Sequence, residues 1–200
     1  ENSDGAKVYG LNFEGKIAYL NTWQLQGGLT AQRSLWNTER QWNEDDAYKT
    51  RRIYRTPDLY AYFIGTLNIT RALSFSLTGN YTGSMLTGHE IPTEDDGSLT
   101  QFNGRPAATI HPDRMQHGEG QTDKTYGPRT FKTPAFFEMG ARVAYNIPLY
   151  KTYTLQLHAG VQNMFNAFQD DFDRGPSRDS AYIYGPGSPR CWYAGMKLTL

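Results

Sequence analysis

The sequence predicts an antiparallel, up-and-down transmembrane β-barrel wall. Three observations carry this. Apolar and polar residues alternate with period two in seven separate segments, the signature of a strand with two unlike faces. Each apolar stripe runs about 9–11 residues, the length that crosses a bilayer at a tilt. The connections between stripes alternate between short and long, as in outer-membrane barrels.

The first stripe sets Tyr9, Leu11, Phe13, Gly15, Ile17 and Tyr19 against Gly10, Asn12, Glu14, Lys16 and Ala18, because successive strand side chains point to opposite sides. The second sets Trp23, Leu25, Gly27, Leu29 and Ala31 against Gln24, Gln26, Gly28, Thr30 and Gln32. The third, Leu59, Ala61, Phe63, Gly65, Leu67 and Ile69, has poorer contrast, since Tyr60, Tyr62 and Ile64 share its other face. The fourth opposes Leu73, Phe75, Leu77, Gly79 and Tyr81 to Ser74, Ser76, Thr78, Asn80 and Thr82. The fifth opposes Phe137, Met139, Ala141, Val143, Tyr145 and Ile147 to Glu138, Gly140, Arg142, Ala144 and Asn146. Glu138 and Arg142 would be costly in a dry sandwich core but not against a hydrated lumen. The sixth opposes Tyr153, Leu155, Leu157, Ala159 and Val161 to Thr154, Gln156, His158 and Gly160. The last runs over 193–200, with Met196, Leu198 and Leu200 against Lys197 and Thr199.

Tight turns are read at 20–22, 70–71 and 148–151, and long polar loops at about 43–56, 88–134 and 170–189. Placing the short turns on the periplasmic side gives two aromatic girdles. Tyr19, Trp23, Tyr145 and Tyr153 sit near the turns; Trp36, Tyr81, Phe165 and Trp192 sit near the loops. Single-chain bacterial barrels have an even number of strands. Seven therefore leaves either a further strand not marked by alternation or the C-terminal part of a larger barrel, and the second is the expectation.

Composition narrows the function. Twenty acidic and twenty basic residues cancel, so no basic face marks a nucleic-acid binder. Mean hydropathy is −0.66, and no run of ~18 apolar residues marks a membrane helix. That says nothing against a barrel, whose lipid-facing residues are interleaved with polar ones. One cysteine, Cys191, gives no internal disulfide and no metal spacing. His158 has Thr154, Gln156 and Gln162 beside it on its face and no nucleophile to activate, so no catalytic residue is assigned. Asp170, Asp171 and Asp173 lack the Gly and terminal Glu of a calcium loop. They read instead as a loop stitched by Asp–Arg pairs to Arg174 and Arg178, with Tyr182 and Tyr184 packing over the rim. No cofactor and no metal site is assigned.

The segment Val161-Gln-Asn-Met-Phe-Asn166 resembles the Asn-Leu-Phe-Asn/Asp motif near the end of TonB-dependent outer-membrane receptors. The stretch from Gln169 through Arg190 into Cys-Trp-Tyr-Ala-Gly-Met-Lys-Leu is similar to receptors of this kind from Bacteroidetes. The resemblance is most specific over about 135–200. It implies a 22-stranded barrel around an N-terminal plug, importing a scarce ligand (iron-siderophore, haem, cobalamin or glycan) with energy from the TonB complex. It implies residence in the outer membrane of a Gram-negative bacterium and assembly by the barrel-assembly machinery. Tyr193, Gly195, Leu198 and Leu200 fit the C-terminal signal that this machinery reads, although the family usually ends in an aromatic residue. It further implies that Glu14, Lys16, Glu138, Arg142, His158 and Lys197 face the lumen and plug. Ligand contact would fall to loop residues, with His89, His111, Asp113 and His117 the candidates. The expected partners are outer-membrane lipid, the protein's own plug, the TonB complex, the assembly machinery and a surface lipoprotein. Two other readings stay open: a small passive eight-stranded barrel, and a soluble extracellular β-sandwich that binds a partner.

Overall fold

A computed structural model of the chain describes residues 4–91, 101–102, 105–106, 114–119, 127–150, 152–173 and 178–199. These residues form an all-β structure. In chain order the strands are β1 (Ala6–Tyr19), β2 (Trp23–Arg40), β3 (Thr50–Arg52), β4 (Leu59–Asn68), β5 (Leu73–Thr82) and β6 (Leu86–Ile91). They continue as β7 (Gln101–Phe102), β8 (Arg105–Pro106), β9 (Gly127–Lys132), β10 (Phe136–Pro148), β11 (Thr154–Gln162) and β12 (Cys191–Thr199). The main sheet runs β1-β2-β4-β5-β10-β11-β12, antiparallel throughout, with β3 paired to the far end of β2. β6 pairs with β9 and β7 with β8 in two small sheets. The main path is the meander of seven long strands that the alternation predicts.

Register makes the stripes into one surface. Ile17, Leu25, Gly65, Leu77, Ala141, Val161 and Trp192 are successive cross-strand partners. Because side chains alternate strictly, a one-residue slip at any pairing would carry a stripe to the other face. Nothing among the described residues covers most of this surface. Leu11 is 81 % exposed, Phe13 73 % and Met196 77 %. Val143, Tyr145 and Leu157 are exposed neighbours within one layer, with no second layer of this chain above them. Val161 is the exception, at 6 % exposed. There the chain after β11 folds back, the Met164 amide donating to the Met139 carbonyl at 2.7 Å and Phe165 stacking on Phe137.

The opposite face carries the polar ladders. Thr30 Oγ1 donates to Asn12 Oδ1 at 3.0 Å, and the Thr66 and Ser76 hydroxyls meet at 3.2 Å. Arg142 donates to Gln156, which donates to Asn146.

All the tight turns lie at one end of the sheet. The β1–β2 turn closes with the Thr22 amide on the Tyr19 carbonyl, and Leu20 there has φ of 48°. At the other end the expected loops are partly strand. β6 and β9 continue the β5–β10 ladder without change of register: Thr82 pairs with Phe136 and Leu86 with Lys132, and the Thr133 amide reaches the Met85 carbonyl between them. The 88–134 loop is thus entered and left by a hairpin that stands on top of the sheet. β3 likewise occupies part of the 43–56 loop.

Candidate functional site

The three long connections meet at the loop end and form one head, with the β6–β9 hairpin at its centre. On one side lies the 41–55 segment. Gly88 lets the Trp42 ring lie against the hairpin, since a Cβ there would fall 1.9 Å from the indole. Asp46, 0 % exposed, accepts from Thr130 Oγ1 at 2.6 Å, and Tyr54 shares a hydrogen bond with the same hydroxyl. On the other side lies the segment from 163 to 190. His89 stacks on Tyr182 with ring centroids 3.7 Å apart, and Phe131 tilts against both rings. Ile91, Met115, Phe131, Phe136, Tyr182 and Tyr184 make up the apolar core of the head.

Asp171 organises the third connection. Its carboxylate accepts from the hydroxyls of Tyr182 and Tyr184 and from Arg114 at 3.3 Å. The acidic run is tied to Arg114 of a different connection; Arg174, expected as a partner, lies outside the described residues. Burial, reinforced by the Asp171 charge and hydrogen bonds, pushes both tyrosine pKa values well above the ordinary phenol range. Desolvation opposes the Arg114 charge, but Tyr184, Asp171 and Asp170 together hold its pKa above the usual value.

The Asn-Met-Phe-Asn motif has a local reason. Asn163 and Asn166 adopt φ of 45° and 53°, a left-handed conformation that Asn tolerates better than most residues. Asn163 donates to the Ala167 and Ser188 carbonyls and accepts from the Ala167 amide, while Asn166 accepts from the Arg190 amide. The two side chains pin both ends of the last connection beside β11 and β12.

The ligand candidates separate. His89 is 1 % exposed and hydrogen-bonds Asp173 Oδ2 at 2.8 Å, so it is withdrawn from any ligand in the head's surface. His89 Nδ1, Asp173 Oδ1, and Nε and Nη2 of Arg129, the buried cross-strand partner of His89, have no hydrogen-bond partner among the described residues. His111 and Asp113 lie outside the described residues. His117 is exposed. It lines an open groove of about 740 Å³ with Glu39, Gln41, Glu44, Asp45, Ala47, Tyr48, Lys49, Gly118 and Glu119. Four carboxylates against one lysine give this groove an acidic lining. Glu44 and Asp45 were not singled out in the sequence, where they fall within the polar 43–56 loop. Among the described residues, no three His, Cys, Asp or Glu side chains gather as a metal-holding set.

Glu14 and Lys16 on β1, Glu138 and Arg142 on β10, His158 on β11 and Lys197 on β12 all fall on the face opposite the apolar stripes. His158 is held closely, with its ring 6.3 Å from that of Tyr193. Gly195 makes room for it, because a Cβ would lie 2.8 Å from His158 Nε2. Gly195 and Tyr193 therefore have a packing role within the sheet. Leu198 is exposed on the apolar face, and Leu200 lies outside the described residues.

No protein-family model matches the chain, and no curated protein matches it. Among solved structures, it is similar to the ferric-catecholate import receptor Fiu of Escherichia coli K12, crystallised in a closed form, with a TM-score of 0.53 and 18 % identity. The match covers 96 % of this chain but 20 % of that receptor. At that identity the likeness shows the fold alone: an antiparallel all-β sheet consistent with a β-barrel fragment.

Proposed function

We propose that this chain forms the C-terminal wall and extracellular loops of a TonB-dependent receptor in a Gram-negative outer membrane. The receptor imports a scarce ligand by binding and gating, without covalent chemistry. One observation carries the reading. A continuous apolar surface is left bare on one face of a single-layer sheet, with turns at one end and an interlocked head at the other. Water would penalise that surface by ~25 cal/mol per Å², whereas a bilayer covers it. The likeness to an import receptor supports the transport class. The free edges of β1 and β12 fit strands of a larger wall on either side, since unpaired edges invite pairing. The polar face then looks into the lumen, where Glu14, Lys16, Glu138, Arg142, His158 and Lys197 meet the plug. The acidic groove at His117 is an open surface on the loop side that a ligand could reach from outside. The receptor's cargo is an iron-siderophore, haem, cobalamin or glycan, and a surface lipoprotein is its expected outer partner.

Orientation tests this. In the complete protein with Cys191→Ser, Ile183→Cys should react with a membrane-impermeant maleimide on intact cells. Arg71→Cys, at a tight turn, should react only after the outer membrane is breached. Labelling of both on intact cells, or of Arg71→Cys alone, would reject the assignment.

A further inference from the structure

We infer that the cleft where the apolar face meets the head binds the phosphate-bearing headgroup of an outer-leaflet amphiphile, a proposal that rests on the membrane reading above. The cleft measures about 230 Å³ and is lined by Leu59, Tyr81 and Met85 together with Arg52, Asp58 and Lys132. This is smaller than the ~300–1,000 Å³ of sites that swallow a whole drug-sized ligand, but it suits one polar group.

Position comes first. Leu59 pairs with Ala31, and Tyr81 lies between Ala61 and Phe137, so both belong to the apolar stripes at their loop-side end. Tyr81, Phe137, Phe165 and Trp192 mark the aromatic level at which a barrel leaves hydrocarbon for headgroups. The cleft opens at that level, with its apolar wall continuous with the lipid-facing surface below.

Charge comes second. Asp58 Oδ2 is shared between two guanidiniums, at 2.8 Å from Arg33 and also in contact with Arg52. One carboxylate serves two arginines, and Lys132 adds a third cation at the cleft wall. Three cations against one anion leave the cluster with a net positive charge. Guanidinium forks match phosphate oxygens well, and a basic cluster at headgroup level attracts anionic lipid. A ligand here needs a phosphate above and an acyl chain below, which a membrane amphiphile supplies and a soluble anion does not.

The test uses the complete protein in nanodiscs of phosphatidylcholine, with and without added phosphatidic acid, and inorganic phosphate as a separate arm. Native mass spectrometry counts retained lipid; hydrogen exchange follows 52–59 and 83–86. Phosphatidic acid should be retained selectively and should slow exchange in those segments, while inorganic phosphate should not. Arg52→Gln and Lys132→Gln should each weaken retention about fivefold, and Arg71→Gln at the opposite end should not. Equal retention of both lipids by the unaltered protein overturns the proposal even if the variants fail to fold. Equal protection by inorganic phosphate overturns the lipid source. Failure to insert into either disc is a different result, which rejects the membrane reading itself.

Discussion

Leu29 condenses the argument at the scale of one residue. It lies on the apolar stripe of β2, between Phe13 and Ala61, and is 45 % exposed. Gln26, one turn of the pleat away in parity, projects from the polar face between Lys16 and Ile64. The two positions share a strand, so backbone effects largely cancel between them. Leu29→Arg should cost about 2–4 kcal/mol, the penalty of a cation at the bilayer midplane of a barrel. Gln26→Arg should cost well under ~1 kcal/mol, because a solvated surface change seldom exceeds that. Denaturant titration of the protein folded into lipid vesicles measures both. Equal costs would mean that the stripe does not face lipid.

At the scale of the element, the third connection is a folded unit because Asp171 gathers the Tyr182 and Tyr184 hydroxyls and the Arg114 guanidinium. Asp171→Ala strands all three partners, and removing one member of a buried charged set typically costs about 3–5 kcal/mol. Hydrogen exchange should therefore rise sharply between 163 and 184 while β10 and β11 stay protected. Unchanged exchange would show the connection to be held otherwise. The phenols predict a pH effect of definite sign. Both have folded pKa values above the ordinary ~10, so the folded head keeps protons that the unfolded chain releases. Their stabilisation is whole below pH ~10 and shrinks as pH rises beyond it. Phenolate absorbance should show Tyr182 and Tyr184 ionising last, together with loosening of the head; their titration near pH 10 in the intact fold would contradict this. The wall strands were legible in sequence because one side of each meets a different medium, and period-two alternation records that. β6 and β9 were not, because both of their faces are covered. Leu-Thr-Gly-His-Glu-Ile and Gly-Pro-Arg-Thr-Phe-Lys have segments 41–55 on one side and 163–190 on the other, so no alternation survives. His89 read as a surface ligand for the same reason: its partners Asp173 and Tyr182 are more than eighty residues away in sequence.

The whole sheet carries a stagger that no single hairpin reveals. One row of paired residues runs Tyr19, Trp23, Leu67, Phe75, Val143, Ala159 and Ala194. Tyr19 ends its strand on that row, whereas β11 leaves its turn at Thr154, five residues beyond Ala159. The strand ends on the turn side thus descend by five residues across five strand spacings. At ~3.3 Å per residue and ~4.8 Å per strand this is ~17 Å over ~24 Å, a slope of about 35°. If the turns sit level at one membrane surface, the strands must lean by that angle. A lean of this size is what a sheet needs to curl towards closure, since barrel strands tilt by roughly 35–45°. An untilted sheet of the same strands could not close, and would leave two straight apolar-faced edges. Polarised infrared spectroscopy of the complete protein in oriented bilayers should give a mean strand tilt of about 30–45° from the membrane normal. Strands lying in the bilayer plane would remove the wall from the membrane. Strands standing upright would break the link between register and closure on which the barrel rests.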